Sequence, residues 1–303
     1  MKRFIIKHIL LFTLFSSLSY SQSRLDEFLT PSDTLNIPRR NLVVISEASV
    51  ASLSLLGLNQ LWYSDFDRSK FHTVNDNNEW LQMDKIGHAF TSYQMGKHGA
   101  QLLHWSGVSK KDQLIYGATL GFGFLTAVEV LDGYSKEWGF SWGDIGANAA
   151  GTGLYIGQEL LWNEQRIALK YSFHQTRYAN LNPDKLGENF LEQILKDYNG
   201  QTYWLSANLH AFFKDSKIPK WLNFALGYGA DGMLYGSKDV DNQVLTTNRR
   251  WRQYYLSFDV NLNAIRTNSK FLRAVLDVFN MVKIPFPTLE INKNKCVFHL
   301  FYN

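Results

Sequence analysis

The alternation of apolar and polar positions changes period near residue 165. Before it, apolar and small residues recur at helical spacing and predict four helices: Leu42 to Leu58, Asp84 to Trp105, Lys111 to Leu131 and Asp144 to Trp162. Leu114 to Val128 carries no charge, whereas Glu47 interrupts the first helix. In the fourth, Gly143, Ala147 and Gly151 recur every four residues, as do Gly146 and Ala150, a spacing that lets helix backbones approach closely. After residue 165 the period becomes two. Tyr203, Leu205, Ala207 and Leu209 alternate with Trp204, Ser206, Asn208 and His210, and Leu222 to Tyr228 and Tyr254 to Leu262 repeat the pattern. With Ile167 to Tyr178 and a terminal hairpin, Thr288–Asn292 and Lys295–Tyr302, about six strands are expected. Two helices interrupt them, one opening at Pro183 after Asn182 and one over Lys270 to Val282. The fold class is therefore α+β. A small-residue-rich helical bundle over 40–165 precedes an antiparallel β-rich module over 166–303 with two inserted helices.

Aromatic, alternating strands that end in Phe298, Phe301 and Tyr302 match outer-membrane β-structure, and a partial or complete barrel of that type is the expectation. Six strands fall short of the eight in the smallest closed barrel, so a strand within 177–199 or an oligomer would have to complete it. Strand faces of Tyr, Phe, Leu and Val would meet lipid, with Lys270, Arg273 and Lys283 turned to the phosphates. The competing reading is a soluble sheet with its apolar face under the helices.

Charge and cysteine content narrow the setting. Lys2, Arg3 and Lys7 lead an apolar run, Ile9 to Phe15, and Ser19-Tyr20-Ser21 precedes Gln22. That is the anatomy of a signal peptide over 1–21, followed by a linker over 22–39, and it predicts export to the outer membrane or the periplasmic face of the envelope. Without residues 1–21 the chain holds 28 basic and 27 acidic residues, so nucleic acid is excluded as a partner on electrostatic grounds. The expected partners are the outer membrane or an envelope lipid, and an envelope protein. The single cysteine, Cys296, excludes a disulfide framework and a multi-thiolate zinc site.

The candidate chemistry lies in the helical half. Asp84 and His88 stand at i and i+4, as do Asp144 and Asn148, so each pair shares a helix face. Glu129 ends an apolar helix, where a carboxylate opposes the dipole and requires a partner. Asp84, His88, Glu129 and Asp144 are the predicted cluster, with Lys85, Asp132 and Asn148 supporting it. Two carboxylates and a histidine suit general acid–base chemistry. His88, Glu129 and Asp144 would equally hold a divalent metal through mixed oxygen and nitrogen ligands, although no feature of the sequence requires one. The structural alternative makes Asp84 and Asp144 helix N-caps and His88 a satisfied interior group. His72, Asp76 and Glu79 occupy a polar loop without ligand spacing, and His98 and His104 read as helix surface or packing. Nucleophile-elbow, phosphate-loop, His-Glu-x-x-His and Cys-x-x-Cys patterns are absent.

Asp84-Lys85…His88, Glu129 and Ser141-x-x-Asp144-x-x-x-Asn148-x-x-Gly151, taken in order, resemble the YfiM-like family of predicted periplasmic lipoproteins over about residues 80–162. They are similar, more remotely, to the VanZ-like membrane proteins. The resemblance implies an envelope setting and a polar site, and no reaction. The chain departs from it in lacking a lipoprotein cysteine and in adding the strand-rich half. A structural or interaction role at the outer membrane is the leading expectation. Hydrolysis or transfer on a lipid or cell-wall precursor, through the His/carboxylate site, is the alternative.

Overall fold

The computed structural model describes residues 24–60, 67–244, 250–293 and 295–302; the signal peptide expected over 1–21 lies outside them. Helix α1 (Ile37–Leu58) starts where the Asn36 side chain accepts the Arg39 N–H at 3.0 Å, with proline in its first turn. Only Val43 on it is buried. Its N-terminal end is fastened by the Arg39 guanidinium, 4.6 Å over the Trp105 ring.

Helix α2 (Met83–Trp105) is the centre of the helical half. A short turn capped by Ser109 and a five-residue π-helical turn, Gln113–Gly117, lead into α3 (Leu120–Asp132). The helix expected over 111–131 thus forms over Lys110–Asp132 with a π-helical turn inside it. At that turn, Gly117 lies so close to α2 that a Cβ on it would stand 2.5 Å from the Ala100 nitrogen. Helix α4 (Trp142–Trp162) crosses α2 with Gly151 against the Ala89 carbonyl. Glycine contacts thus hold α2 on both sides, the close approach that the four-residue spacing of small residues predicts.

Strands β1 (Ile167–Phe173), β2 (Gln201–Asn208), β3 (Leu222–Asp231), β4 (Trp251–Val260), β5 (Phe286–Asn292) and β6 (Cys296–Tyr302) form one antiparallel sheet in sequential order. Among the described residues the sheet does not close into a barrel. Among the described residues 177–199 supply no strand, and the free edge of β1 is taken by the chain just before β5. There the Tyr171 N–H donates to Met281 O and the Lys283 N–H to Tyr171 O, each at 2.9 Å. The sheet is nonetheless strongly rolled. In a flat sheet β2 and β6 would lie about 19 Å apart, yet the Tyr302 hydroxyl is 3.2 Å from Thr202 Oγ1.

Rolling inverts the usual burial. The covered face carries Lys170, Ser172, Ser206, Asn223, Tyr255, Ser257, Asp259 and Thr288, all buried. Lys170 and Asp259 pair there at 2.7 Å, both wholly buried, and Ser206 donates to the same carboxylate at 2.7 Å. On the other face Leu169, Leu205, Leu226, Leu256, Leu289 and Phe298 are in register across all six strands. Leu226 and Phe298 are 45% and 65% exposed. Helix α2 covers one end of this face: Phe90 packs on Tyr171 and Tyr203 with ring centroids 5.8 and 5.5 Å apart, and Met83 lies in one buried cluster with Tyr203 and Ala230 of β3. Lys283, expected at lipid phosphates, is instead buried inside the roll, 4.9 Å over the Trp204 ring.

The inserted helices also differ from expectation. The segment after Pro183 breaks into Pro183–Leu186 and α5 (Phe190–Lys196) at Gly187, whose φ of +100° other residues rarely adopt. Further short helices occur at Leu209–Phe212 and Lys238–Val244, and α6 spans Lys270–Phe279.

Candidate functional site

A left-handed turn sets the start of α2. Trp80, Leu81 and Gln82 are successive non-glycine residues in the left-handed region, with φ of 46°, 51° and 67°. Each such residue costs roughly 1–2 kcal/mol, so the turn persists only because its surroundings impose it. The β-rich half does so: Gly236 O accepts the Trp80 N–H at 3.0 Å, Tyr228 donates to Leu81 O, and Arg252 donates to the Gln82 side chain. This turn sets Asp84 and Lys85 in the first turn of α2, one turn before His88. Neither Asp84 nor Asp144 is an N-cap. Ser141 caps α4, accepting the Asp144 N–H at 3.2 Å, which leaves the Asp144 carboxylate free to face α2.

His88 is the hub. Its Nδ1 lies 3.1 Å from Asn148 Oδ1, an acceptor that selects the Nδ1–H tautomer. Its Nε2 faces three carboxylate oxygens: Glu129 Oε1 at 3.7 Å, Asp84 Oδ1 at 3.9 Å and Asp144 Oδ1 at 3.9 Å. The second oxygen of each acid is held elsewhere. The Ser141 N–H donates to Glu129 Oε2 at 3.0 Å, and Lys85 Nζ reaches Asp144 Oδ2 at 2.7 Å and Asp84 Oδ2 at 3.2 Å. Glu129 and Asp144 are buried, and Asp144 Oδ1 has no hydrogen-bond partner.

Four of the predicted residues, Asp84, His88, Glu129 and Asp144, therefore meet, with Lys85 and Asn148 beside them. Asp132 acts on the cluster as a like charge that helps to raise Glu129. Two further members carry no local signal in the sequence. Asp76, from the polar loop, binds Lys85 at 2.6 Å and accepts the Ser141 hydroxyl at 2.6 Å. Tyr198 donates to Asp84 Oδ1 at 2.7 Å from the far half of the chain. The Ser-x-x-Asp spacing of a capping box marks Ser141 in the sequence, but no local pattern marks Asp76 or Tyr198.

Electrostatics divides the acids. Burial pushes Glu129 up to about 8, and burial together with Asp84 pushes Asp144 up to about 6. For Asp84 burial works in the same direction, but His88, Lys85 and the Tyr198 hydroxyl outweigh it and hold the carboxyl below its ordinary range. Burial disfavours the His88 cation, yet Asp84, Asp144 and Glu129 together raise its pKa. An acid near neutrality beside an ionised one is the division that general acid–base chemistry uses.

These features define an α+β protein with a His/carboxylate centre where a helical bundle meets a rolled sheet. Residues 73–157, somewhat over a quarter of the chain, match the family described as predicted periplasmic lipoprotein (DUF2279). That segment supplies every acid of the centre together with Lys85, His88 and Asn148, and the match supports an exported, envelope-associated protein. No curated protein and no solved structure matches the chain.

Proposed function

We propose that this is a structural or interaction protein of the cell envelope, seated in one leaflet of a membrane by the outer face of its sheet. The observation that carries the reading is the inverted sheet: its polar face is buried, while Leu205, Leu226, Leu256 and Phe298 of the opposite face are exposed. A soluble sheet places these the other way round. The apolar outer face of β3 runs from Leu222 to Tyr228, about 20 Å along the strand, short of the ~25 Å belt of a spanning barrel. This length favours seating over crossing. Aromatic rings flank the leucine row, Phe224, Phe258 and Phe286 towards one end and Tyr254 towards the other, as at a lipid interface. Leu42, Ile45, Leu53 and Leu56 add an exposed stripe along one side of α1. By length and composition two segments, Ile37–Leu58 and Lys110–Asp132, are long and apolar enough to cross a membrane.

The test is flotation of the purified chain with phosphatidylethanolamine/phosphatidylglycerol vesicles. Wild type should float, and a Leu226→Asp, Leu256→Asp, Phe298→Asp variant should stay at the bottom. Complete release of native protein from envelopes by carbonate without detergent would refute the seat.

A second reading is favoured by the cluster itself. A hydrolase or transferase of a lipid or cell-wall precursor would use His88 as base and Glu129 and Asp144 as partners. Glu129→Gln separates the two readings, since an acid–base or metal centre would lose its activity, whereas a purely structural carboxyl would keep or gain stability as the amide.

A further inference from the structure

We propose that Asp84, His88, Glu129 and Asp144 bind one divalent transition-metal cation of the zinc or manganese class. The inference requires neither the membrane seat nor catalysis, so its failure would leave the membrane reading standing.

Three observations carry it. First, Glu129 and Asp144 each commit one oxygen to a protein partner and turn the other towards His88 Nε2, and Asp84 turns its Tyr198-bound Oδ1 to the same point. Second, Asp144 is 3% exposed, and its Oδ1, directed at His88 Nε2, has no hydrogen-bond partner. A buried carboxylate oxygen left unpaired is costly, and a cation would remove that cost. Third, the separations suit an ion. Ligands 2.0–2.2 Å from a tetrahedral metal lie about 3.4 Å from one another, and here the carboxylate oxygens stand 3.7–3.9 Å from Nε2. Asp84, His88 and Asp144 bring one ligand atom each within 4.8 Å of one another, and Glu129 Oε1, 3.7 Å from Nε2, stands beside that triad as the fourth ligand.

Charge agrees with geometry. Asp76, Asp84, Glu129 and Asp144 surround one lysine and one histidine, and the Nδ1–H tautomer selected by Asn148 leaves the Nε2 lone pair pointing at the acids. With all four acids ionised, a divalent cation offsets the excess of negative charge. The supporting contacts are those metal ligands normally have: Asn148 orients the imidazole, Lys85 and the Ser141 N–H hold the acids, and the Tyr198 hydroxyl holds Asp84. One nitrogen and three oxygens suit zinc or manganese better than the thiolate-seeking metals.

The full-length chain, purified in detergent, is tested by elemental analysis, then stripped with chelator and titrated calorimetrically with zinc chloride and manganese chloride. About one equivalent per chain should bind, with protons released where ligands titrate. Asp144→Asn and His88→Gln should abolish retention, and Asn148→Ala should weaken binding roughly 10- to 100-fold. His299→Gln, which removes the separate His299–Glu290 pair, should bind as wild type does. Wild-type chain that takes up neither ion overturns the proposal whatever the variants do. So does unchanged uptake by Asp144→Asn or His88→Gln protein whose circular dichroism matches wild type.

Discussion

At the residue scale the main energetic feature is charge inside the protein. Lys170 and Asp259 pair without solvent contact, and Lys283 lies close by, its ammonium over Trp204 and donating to Ile284 O at 2.8 Å. Removing one member of such a pair strands the other, which costs far more than the intact pair contributes. Lys283 has the weaker position. Burial pushes it down to about 8 from 10.5, with Asp259 opposing the shift and Lys170 reinforcing it. A lysine depressed in the folded state imposes its full penalty below pH 8, and the penalty disappears as pH rises to 10.5. Thermal unfolding should therefore show Lys283→Met ahead of wild type by most at pH 7, the gap closing towards pH 10.5. A gap that does not vary with pH would mean that Lys283 is stabilised by contacts rather than penalised by burial.

Among the elements, glycine position decides what the helices tolerate. A Cβ on Gly151 would lie 2.0 Å from the Ala89 carbonyl oxygen, whereas at Gly153, two residues on in the same helix, it would meet nothing within 4 Å. Gly151→Ala should force α4 off α2 and cost about 1–3 kcal/mol by overpacking. Gly153→Ala should stabilise by roughly 0.4–1 kcal/mol through the unfolded chain. Chemical denaturation of the two variants side by side measures both, and equal effects would show that the α2–α4 crossing is not a backbone contact. The four-residue spacing of small residues was legible in the sequence, but not which of them touch. Gly146 faces open space although it belongs to the same pattern.

At the scale of the whole molecule, the centre belongs to both halves of the chain. The α2 turn that presents Asp84 is held in its left-handed conformation by Gly236, Tyr228 and Arg252, and Asp84 itself by Tyr198. Lys97 pairs with Asp277 of α6 at 2.9 Å, tying α2 to the sheet's connections as well. Export is a property of the whole chain too. Intact-mass measurement on envelope-fractionated protein should find a mature chain beginning at Gln22, and full-length protein in the cytoplasm would contradict the compartment.

Local pattern alone determined the elements: the change of period near residue 165, four helices, six strands, and the i/i+4 pairs Asp84/His88 and Asp144/Asn148. These follow from backbone geometry and one or two turns of chain, which a sequence states directly. The direction each strand face points was decided only in three dimensions, because alternation shows that two faces differ and not which one is covered. Rolling the sheet around Lys170 and Asp259 made the polar face the inner one. Tyr198 and Asp76 joined the centre for the same reason. Tyr198 meets Asp84 across 114 residues of chain, and no local periodicity records a contact at that separation.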